Sequence, residues 1–198
     1  MCNNFCVPRK YELKRRAERQ AETRRRIVEA AVALHRRKGP ARTTFTDIAR
    51  LAGVQRHTLY RHFPDERALM LACSGLFYEQ NPPPDPERWR EIGDGLERLR
   101  HGLRELYAYY ERTEDMASRV LRDAEVHPLT RELVELRRSG PMRCVRAVLG
   151  EGFSDEPRVQ ALLDLATDFY AWRRLARSGL SPDDAAALMA DLLLCALE

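Results

Sequence analysis

The chain has 198 residues, of which 44% are apolar and 32% charged, with a formal net charge of +4. That length suffices for one large or two small domains with a hydrophobic core. No apolar run approaches a bilayer span, and the opening MCNNFCVPRK lacks the apolar core of a signal peptide, which predicts a cytoplasmic protein with no membrane partner.

The net charge conceals an asymmetry. Residues 1–80 hold 17 Lys and Arg against 8 Asp and Glu, whereas residues 81–198 hold 17 against 22. A basic half is the electrostatic footprint of nucleic-acid binding, and an acidic half is not. The five cysteines, Cys2, Cys6, Cys73, Cys144 and Cys195, are odd in number and scattered, which argues against disulfides. Cys2 and Cys6 lie near each other, but no further His or Cys stands close enough in sequence to complete a metal site. Neither a metal nor a cofactor is expected.

Residues 1–8 have no periodicity and are expected to be disordered. From Arg9 to Arg26 the sequence RKYELKRRAERQAETRRR is basic and rich in helix formers. It reads either as a solvated extension of the first helix or as an arm that touches DNA phosphates or the minor groove. Ile27, Ala30, Ala31 and Leu34 carry the apolar spacing of that helix to Gly39-Pro40, where it stops.

The stretch from Thr44 to Phe63, TFTDIARLAGVQRHTLYRHF, reads as helix, tight turn, helix. Thr44 and Asp47 have the spacing of a capping box, Ile48, Leu51 and Ala52 give an apolar side, and Gly53 permits the left-handed end that a helix C-terminus favours. Val54 anchors the turn. The second helix turns Leu59 and Phe63 inward and leaves Arg56, His57, Thr58, Tyr60, Arg61 and His62 outside. Solvated helix faces usually mix both signs of charge, yet Gln55 to Phe63 contains no carboxylate. So many donors without a counter-charge fit a polyanionic partner, double-stranded DNA.

Pro64 opens a fourth helix through Leu69, Leu71, Leu76 and Phe77 to about residue 80. The run Asn81-Pro82-Pro83-Pro84-Asp85-Pro86 then marks a domain boundary. Leu96, Leu99, Leu103, Leu106, Tyr107 and Tyr110 form one stripe of a long helix, followed by a shorter helix over Glu114 to Glu125. Ser139-Gly140-Pro141 is expected to kink or break the next one. A single helix is predicted from Val159 to Arg177. Ser181-Pro182-Asp183-Asp184 then caps a last helix that is apolar on more than one side. That pair of helices reads as a homodimer interface, with Leu163, Tyr170, Leu188, Leu192 and Leu193 as its candidates; the alternative is a helix interior to the monomer. No strand period is sustained anywhere.

The run TTFTDIARLAGVQRHTLYRHFPDERALM resembles the DNA-binding domain of the TetR family of bacterial transcription regulators, from Ile27 through Leu69. The specific parts are Asp-Ile-Ala, the Ala-Gly-Val turn, Thr-Leu-Tyr and Phe-Pro. The resemblance implies an all-α fold: an N-terminal three-helix helix-turn-helix domain, and a larger C-terminal helical domain for ligand binding and dimerisation. The expected domains are a basic, partly disordered arm at 1–22, the DNA-binding domain with its connecting helix at 23–80, and the C-terminal domain at 85–198. It further implies that Thr44, Tyr60 and His62 bind phosphates, and that Arg56, His57, Arg61 and Thr46 reach base edges, with Thr58 able to serve either role. Family members commonly carry a phosphate-binding lysine near the start of the fourth helix. Here Glu66 stands in its place, followed by Arg67: either Arg67 substitutes, or the basic arm provides the missing contact, or Glu66 turns away toward Arg67 or Arg61.

The implied activity is repression by a dimer on an inverted-repeat operator, relieved by a small-molecule effector of unknown identity. Tyr107, Tyr110, Met116, Arg122, Met142, Phe169 and Trp172 are the candidate effector-lining residues, because large side chains with a few polar tips suit an apolar cavity; ordinary core packing is the alternative for each. Two other classes compete. An enzyme finds no support, since the chain has no glycine-rich phosphate loop, no Glu-x-x-His pair and no His-Glu-x-x-His motif. A helical adaptor that binds protein instead of DNA has one hint, Glu66.

Overall fold

The computed structural model describes the backbone of residues 9–197 and the side chains of residues 13–197. The readings made for residues 1–8, Cys2 and Cys6 among them, lie outside the described residues. Ten α-helices are present among those described, with no strand: α1 (Arg9–Lys38), α2 (Phe45–Leu51), α3 (Arg56–His62), α4 (Glu66–Gln80), α5 (Gly95–Ala124), α6 (Pro128–Val134), α7 (Gly140–Gly150), α8 (Pro157–Thr167), α9 (Phe169–Arg177) and α10 (Pro182–Leu197). None is long and apolar enough to cross a membrane. The chain divides into two compact units between Phe77 and Tyr78, a step that falls inside α4.

In the N-terminal unit α1 is one continuous helix, so residues 9–22 of the basic segment are helical. Its inward stripe, Ile27, Val28, Ala31 and Leu34, is buried, as are Ile48, Ala49, Leu59, Phe63, Leu69 and Met70 of the helices that follow. Leu59 and Phe63 have no exposed surface. Burying each contributes about 1.5–3 kcal/mol. Leu51 departs from expectation, 55% exposed instead of inward, because it is the last residue of a helix that ends one turn after Ile48. Gly53 has φ +64, the left-handed conformation that closes α2. The α4 helix begins at Glu66, later than Pro64: Asp65 caps it by accepting the Ala68 N–H at 2.7 Å. Cys73, buried beside His35 (Sγ to Nδ1 3.5 Å), has its thiol pushed up to about 12 by burial, so it stays protonated and inert at neutral pH.

The C-terminal unit packs α5, α7, α8, α9 and α10 around one core that includes Trp89, Leu103, Leu106, Tyr107, Tyr110, Leu149, Leu163, Phe169, Trp172 and Leu193. A Cβ at Gly102 would stand 3.0 Å from the Trp89 ring and closer still to Leu149, so α5 and its neighbours approach as closely as they do only because that position has no side chain. Two sequence expectations are corrected. The stripe ending at Tyr110 and the helix expected over Glu114 to Glu125 are one helix, α5, because no Gly or Pro lies between them; the Thr113 hydroxyl turns back to the Tyr109 carbonyl at 2.7 Å. The Ser139-Gly140-Pro141 stretch, expected to kink or break the helix, does interrupt α-helical winding, although the chain stays helical through it. A π-helical turn, Glu135–Ser139, bridges α6 and α7; Pro141 has no N–H for the Arg137 carbonyl, and the winding loosens to accommodate it.

The helix expected from Val159 to Arg177 is two. Asp168 is extended (φ −76, ψ 133) and its carboxylate accepts the Ala171 N–H at 2.8 Å, capping α9. The break leaves carbonyls at the end of α8 without helical partners, and α5 supplies donors for two of them. Tyr107 donates to the Ala166 carbonyl and Tyr110 to the Thr167 carbonyl, each at 2.7 Å. The last helix is buried through Ala185, Ala186, Met189, Ala190 and Leu193, while Leu188, Leu192, Leu194 and Leu197 are 40–45% exposed.

Candidate nucleic-acid interface and aromatic core

The helix-turn-helix is held by charge-assisted contacts as well as by its core. Thr44 and Asp47 form the capping box: the Asp47 N–H donates to the Thr44 hydroxyl at 3.1 Å, and the Thr44 N–H donates to the Asp47 carboxylate at 3.3 Å. The Thr44 hydroxyl also donates to that carboxylate at 2.8 Å, and Lys38 of α1 joins it at 2.7 Å. Lys38, followed by Thr44, holds the Asp47 carboxyl well below the usual carboxylate range. From α1, Arg26 donates to the carbonyls of Ala52 and Gly53, the unpaired end of α2, and Arg24 donates to the His62 carbonyl at 2.8 Å, the end of α3. A guanidinium at each C-terminus satisfies orphan carbonyls and complements the helix dipole. Arg24 also lies 4.1 Å from the Phe63 ring centroid. Thus two exposed arginines of the basic segment that reads as a DNA arm bind the carbonyl ends of the motif's helices instead. Nothing in the sequence distinguishes them from their neighbours.

That bracing leaves α3 with one anchored face and one open face. Arg56, His57 and Arg61 are exposed, Thr58 is half-buried, and Tyr60 is 41% exposed. Thr44, Thr46 and Arg67 are exposed on the flanking elements. Arg56 donates to the Tyr60 hydroxyl at 3.1 Å, and the Tyr60 ring rests 5.1 Å from that of Phe45, so the Arg56–Tyr60 pair is preset on α2. Thr58 and His57 lie 3.3 Å apart. His62 is less open than its position in the sequence implies. It is half-buried, with its Nε2 enclosed and unpartnered, and burial aided by Arg61 and Arg24 holds its imidazole below the ordinary 6.5. Glu66 is exposed in the first turn of α4, where a carboxylate suits the positive end of the helix dipole.

Of the candidate effector residues, Tyr107, Tyr110, Phe169 and Trp172 come together. Tyr110 packs against Phe169 at 5.4 Å and Trp172 at 5.5 Å, and its hydroxyl lies 3.4 Å from the Met142 sulfur. Burial pushes the Tyr110 phenol up to about 12, and Tyr107 is raised further. Met116 is buried outside this cluster, and Arg122 is exposed and paired with the buried Asp123 at 2.6 Å, so neither joins it. The sequence reading passed over Tyr109 and Arg138. Arg138 projects from the π turn over the Tyr110 and Phe169 rings, and no periodicity in the sequence announces that turn. Among the dimer candidates, Tyr170, Leu188 and Leu192 are 40–45% exposed. Leu163 and Leu193 have no exposed surface and belong to the core of the single chain, which corrects their assignment to the interface.

Among the described residues no cluster of three His, Cys, Asp or Glu could hold a metal ion. A sequence profile described as "Bacterial regulatory proteins, tetR family" matches residues 27–73. The HTH-type transcriptional regulator TtgR of Pseudomonas putida is 42% identical over 67 residues, 34% of this chain and 32% of that protein. The HTH-type transcriptional regulator CymR of Pseudomonas putida is 41% identical over 64 residues, 32% of each. The matched region thus spans about a third of these relatives. A TetR transcriptional regulator from Rhodococcus sp. RHA1 is similar over 90% of this chain and 99% of its own, at 21% identity and a TM-score of 0.38.

Proposed function

We propose that this chain, whose residues 27–73 match the profile of the tetR family of bacterial regulatory proteins, is a transcriptional repressor that binds an inverted-repeat operator as a homodimer and is released by a small molecule. The observation that carries the DNA-binding reading is the open face of α3: Arg56, His57 and Arg61 exposed on a seven-residue helix without a carboxylate. Arg56, His57 and Arg61, with Thr46, are assigned to base edges. Thr44, Tyr60, His62 and Arg67 are assigned to phosphates, with Thr58 serving either role. For Thr44 a phosphate oxygen would replace the Asp47 carboxylate as acceptor, and for His62 the contact falls to Nδ1, since Nε2 is enclosed. The adaptor alternative weakens, because Glu66 has a local electrostatic role at the start of α4.

Dimerisation rests on the exposed apolar side chains of Tyr170, Leu188, Leu192 and Leu197. Two α3 helices related by a two-fold axis read half-sites of opposite orientation. The effector reading rests on the aromatic core of the C-terminal unit. It also draws on α4, one unbroken helix with residues in both units. The test is a gel shift and footprint on the promoter region beside the chain's own gene, with competitor DNA and at several salt concentrations. We expect a specific footprint with two-fold sequence symmetry and affinity that falls steeply with salt. No protection above that of competitor DNA would sink the regulator reading; an asymmetric footprint would sink the operator geometry alone.

A further inference from the structure

The first helix outruns the unit it belongs to. Arg24 and Arg26 tie α1 to the carbonyl ends of α3 and α2, and the buried stripe of the helix starts with Ile27. Upstream of them α1 continues through residues 9–22, and every side chain described there, from Leu13 to Glu22, is exposed. At 1.5 Å per residue this extension is about 21 Å long. Its two faces differ. Carried back from Leu34, Ala31 and Ile27 in steps of three and four, the inward stripe runs through Thr23, Gln20, Arg16 and Leu13, with no carboxylate among them. The opposite stripe is Glu18, Glu22, Arg25 and Glu29, and it is partly neutralised within itself: Arg25 pairs with Glu22 and with Glu29, each at 2.9 Å. Arg19 flanks the inward stripe, and neither it nor Arg16 has a carboxylate partner among the described residues. The face that downstream packs on the helix-turn-helix thus presents, upstream, two uncompensated guanidinium groups and a carboxamide to solvent.

We propose that this face of the extension binds DNA phosphates beside the base pairs read by α3, with Arg16 and Arg19 as its contacts, and that it adds affinity without adding sequence preference. This role rests on the DNA-binding reading above and deepens it by assigning a second element to the interface. Charge complementarity selects the partner: the cations lack counter-charges of their own, and they begin next to the C-terminal end of α3, where Arg24 meets the His62 carbonyl. Helicity decides where they bind. An α-helix with its side chains is about 10–12 Å across and the minor groove about 6 Å wide, so the extension cannot enter that groove as an extended arm can, and it lies against the backbone. Contacts to phosphate hold a protein on the duplex and carry no base information. Leu13 is the one large apolar side chain between residues 13 and 22, too little apolar surface for insertion into a membrane.

The test is fluorescence anisotropy with the full chain, on a duplex carrying the footprinted site and on a random-sequence duplex of equal length, across a series of salt concentrations. We expect Arg16→Gln and Arg19→Gln each to weaken binding to both duplexes by a common factor. Each is also expected to lower the slope of log affinity against log salt by about 0.9 for every phosphate contact removed. Arg16→Lys keeps the charge and is expected to keep most of the slope. Arg25→Gln removes an equal charge from the opposite face and is expected to leave the slope unchanged. All three positions are exposed, and melting curves that match the wild type establish that each variant is folded. An unchanged slope in Arg16→Gln and Arg19→Gln, an equal fall in Arg25→Gln, or a loss confined to the footprinted site would overturn the proposal. Absence of binding by the wild type to either duplex would remove the regulator reading as well, whereas wild-type binding without these shifts counts against the role of the extension alone.

Discussion

On the reading proposed above, side chains of α3 divide into those assigned to base edges and those assigned to phosphates, and substitutions separate the two roles. Arg61 is exposed, and its replacement by alanine is expected to cost about 1–3 kcal/mol at particular base pairs and little elsewhere. Tyr60→Phe removes the hydroxyl that accepts from Arg56, so we expect weaker binding to every sequence alike. Quantitative binding to an operator and to single-base variants distinguishes the two patterns, and the reverse pattern would exchange their roles. His62 adds a pH dependence whose sign is fixed by its environment. Burial, together with Arg61 and Arg24, depresses its folded pKa below 6.5. Above pH 6.5 both folded and unfolded imidazoles are neutral; as the pH falls, the unfolded one takes a proton first, and stability declines until the folded one titrates. Denaturant unfolding between about pH 7.5 and 5 is therefore expected to show a steeper loss for the wild type than for His62→Gln. Parallel curves would mean that His62 is not desolvated as described.

At the scale of elements, sequence periodicity located almost every helix and failed where a helix ends without Gly or Pro. The break at Asp168 is the clearest case. Leu162, Leu163, Ala166, Phe169 and Trp172 keep apolar spacing straight through it, because α8 and α9 face the same core. What stops α8 is a capping carboxylate and two phenols from a helix more than fifty residues earlier. The Thr44 cap and the Gly53 turn were legible, being local chemistry, whereas Arg138 was not, since it acquires its position from the π turn. The phenol contacts have a measurable weight. Tyr107→Phe strips the donor from the Ala166 carbonyl at a fully buried residue, and we expect a loss of about 1–3 kcal/mol in unfolding free energy. Wild-type stability in that variant would show that the carbonyl finds another donor.

For the whole molecule, the association surface is where reading the sequence and reading the structure part most usefully. Leu192 and Leu193 are neighbours on an apolar helix, and no pattern in the sequence separates them. In the structure Leu192 is 45% exposed and Leu193 is 0% exposed. Leu192→Arg is therefore expected to give a folded chain that sediments as a monomer at micromolar concentration. Leu193→Arg is expected to fail to fold, since a charge buried without a partner costs several kcal/mol. A dimeric Leu192→Arg protein would remove α10 from the interface.

If α3 reads DNA as proposed, the bracing of the helix-turn-helix also governs how its sequence preference can change. Arg24, Arg26, Lys38 and the Thr44–Asp47 cap hold α2 and α3 through backbone carbonyls, an ion pair and capping hydrogen bonds, none of which involves Arg56, His57 or Arg61. The open face is thus decoupled from folding, and exchanging those three side chains is expected to move stability by no more than about 0.5 kcal/mol each. Sequence preference can then drift or be reprogrammed at little thermodynamic cost, while the scaffold that aims it is inherited unchanged.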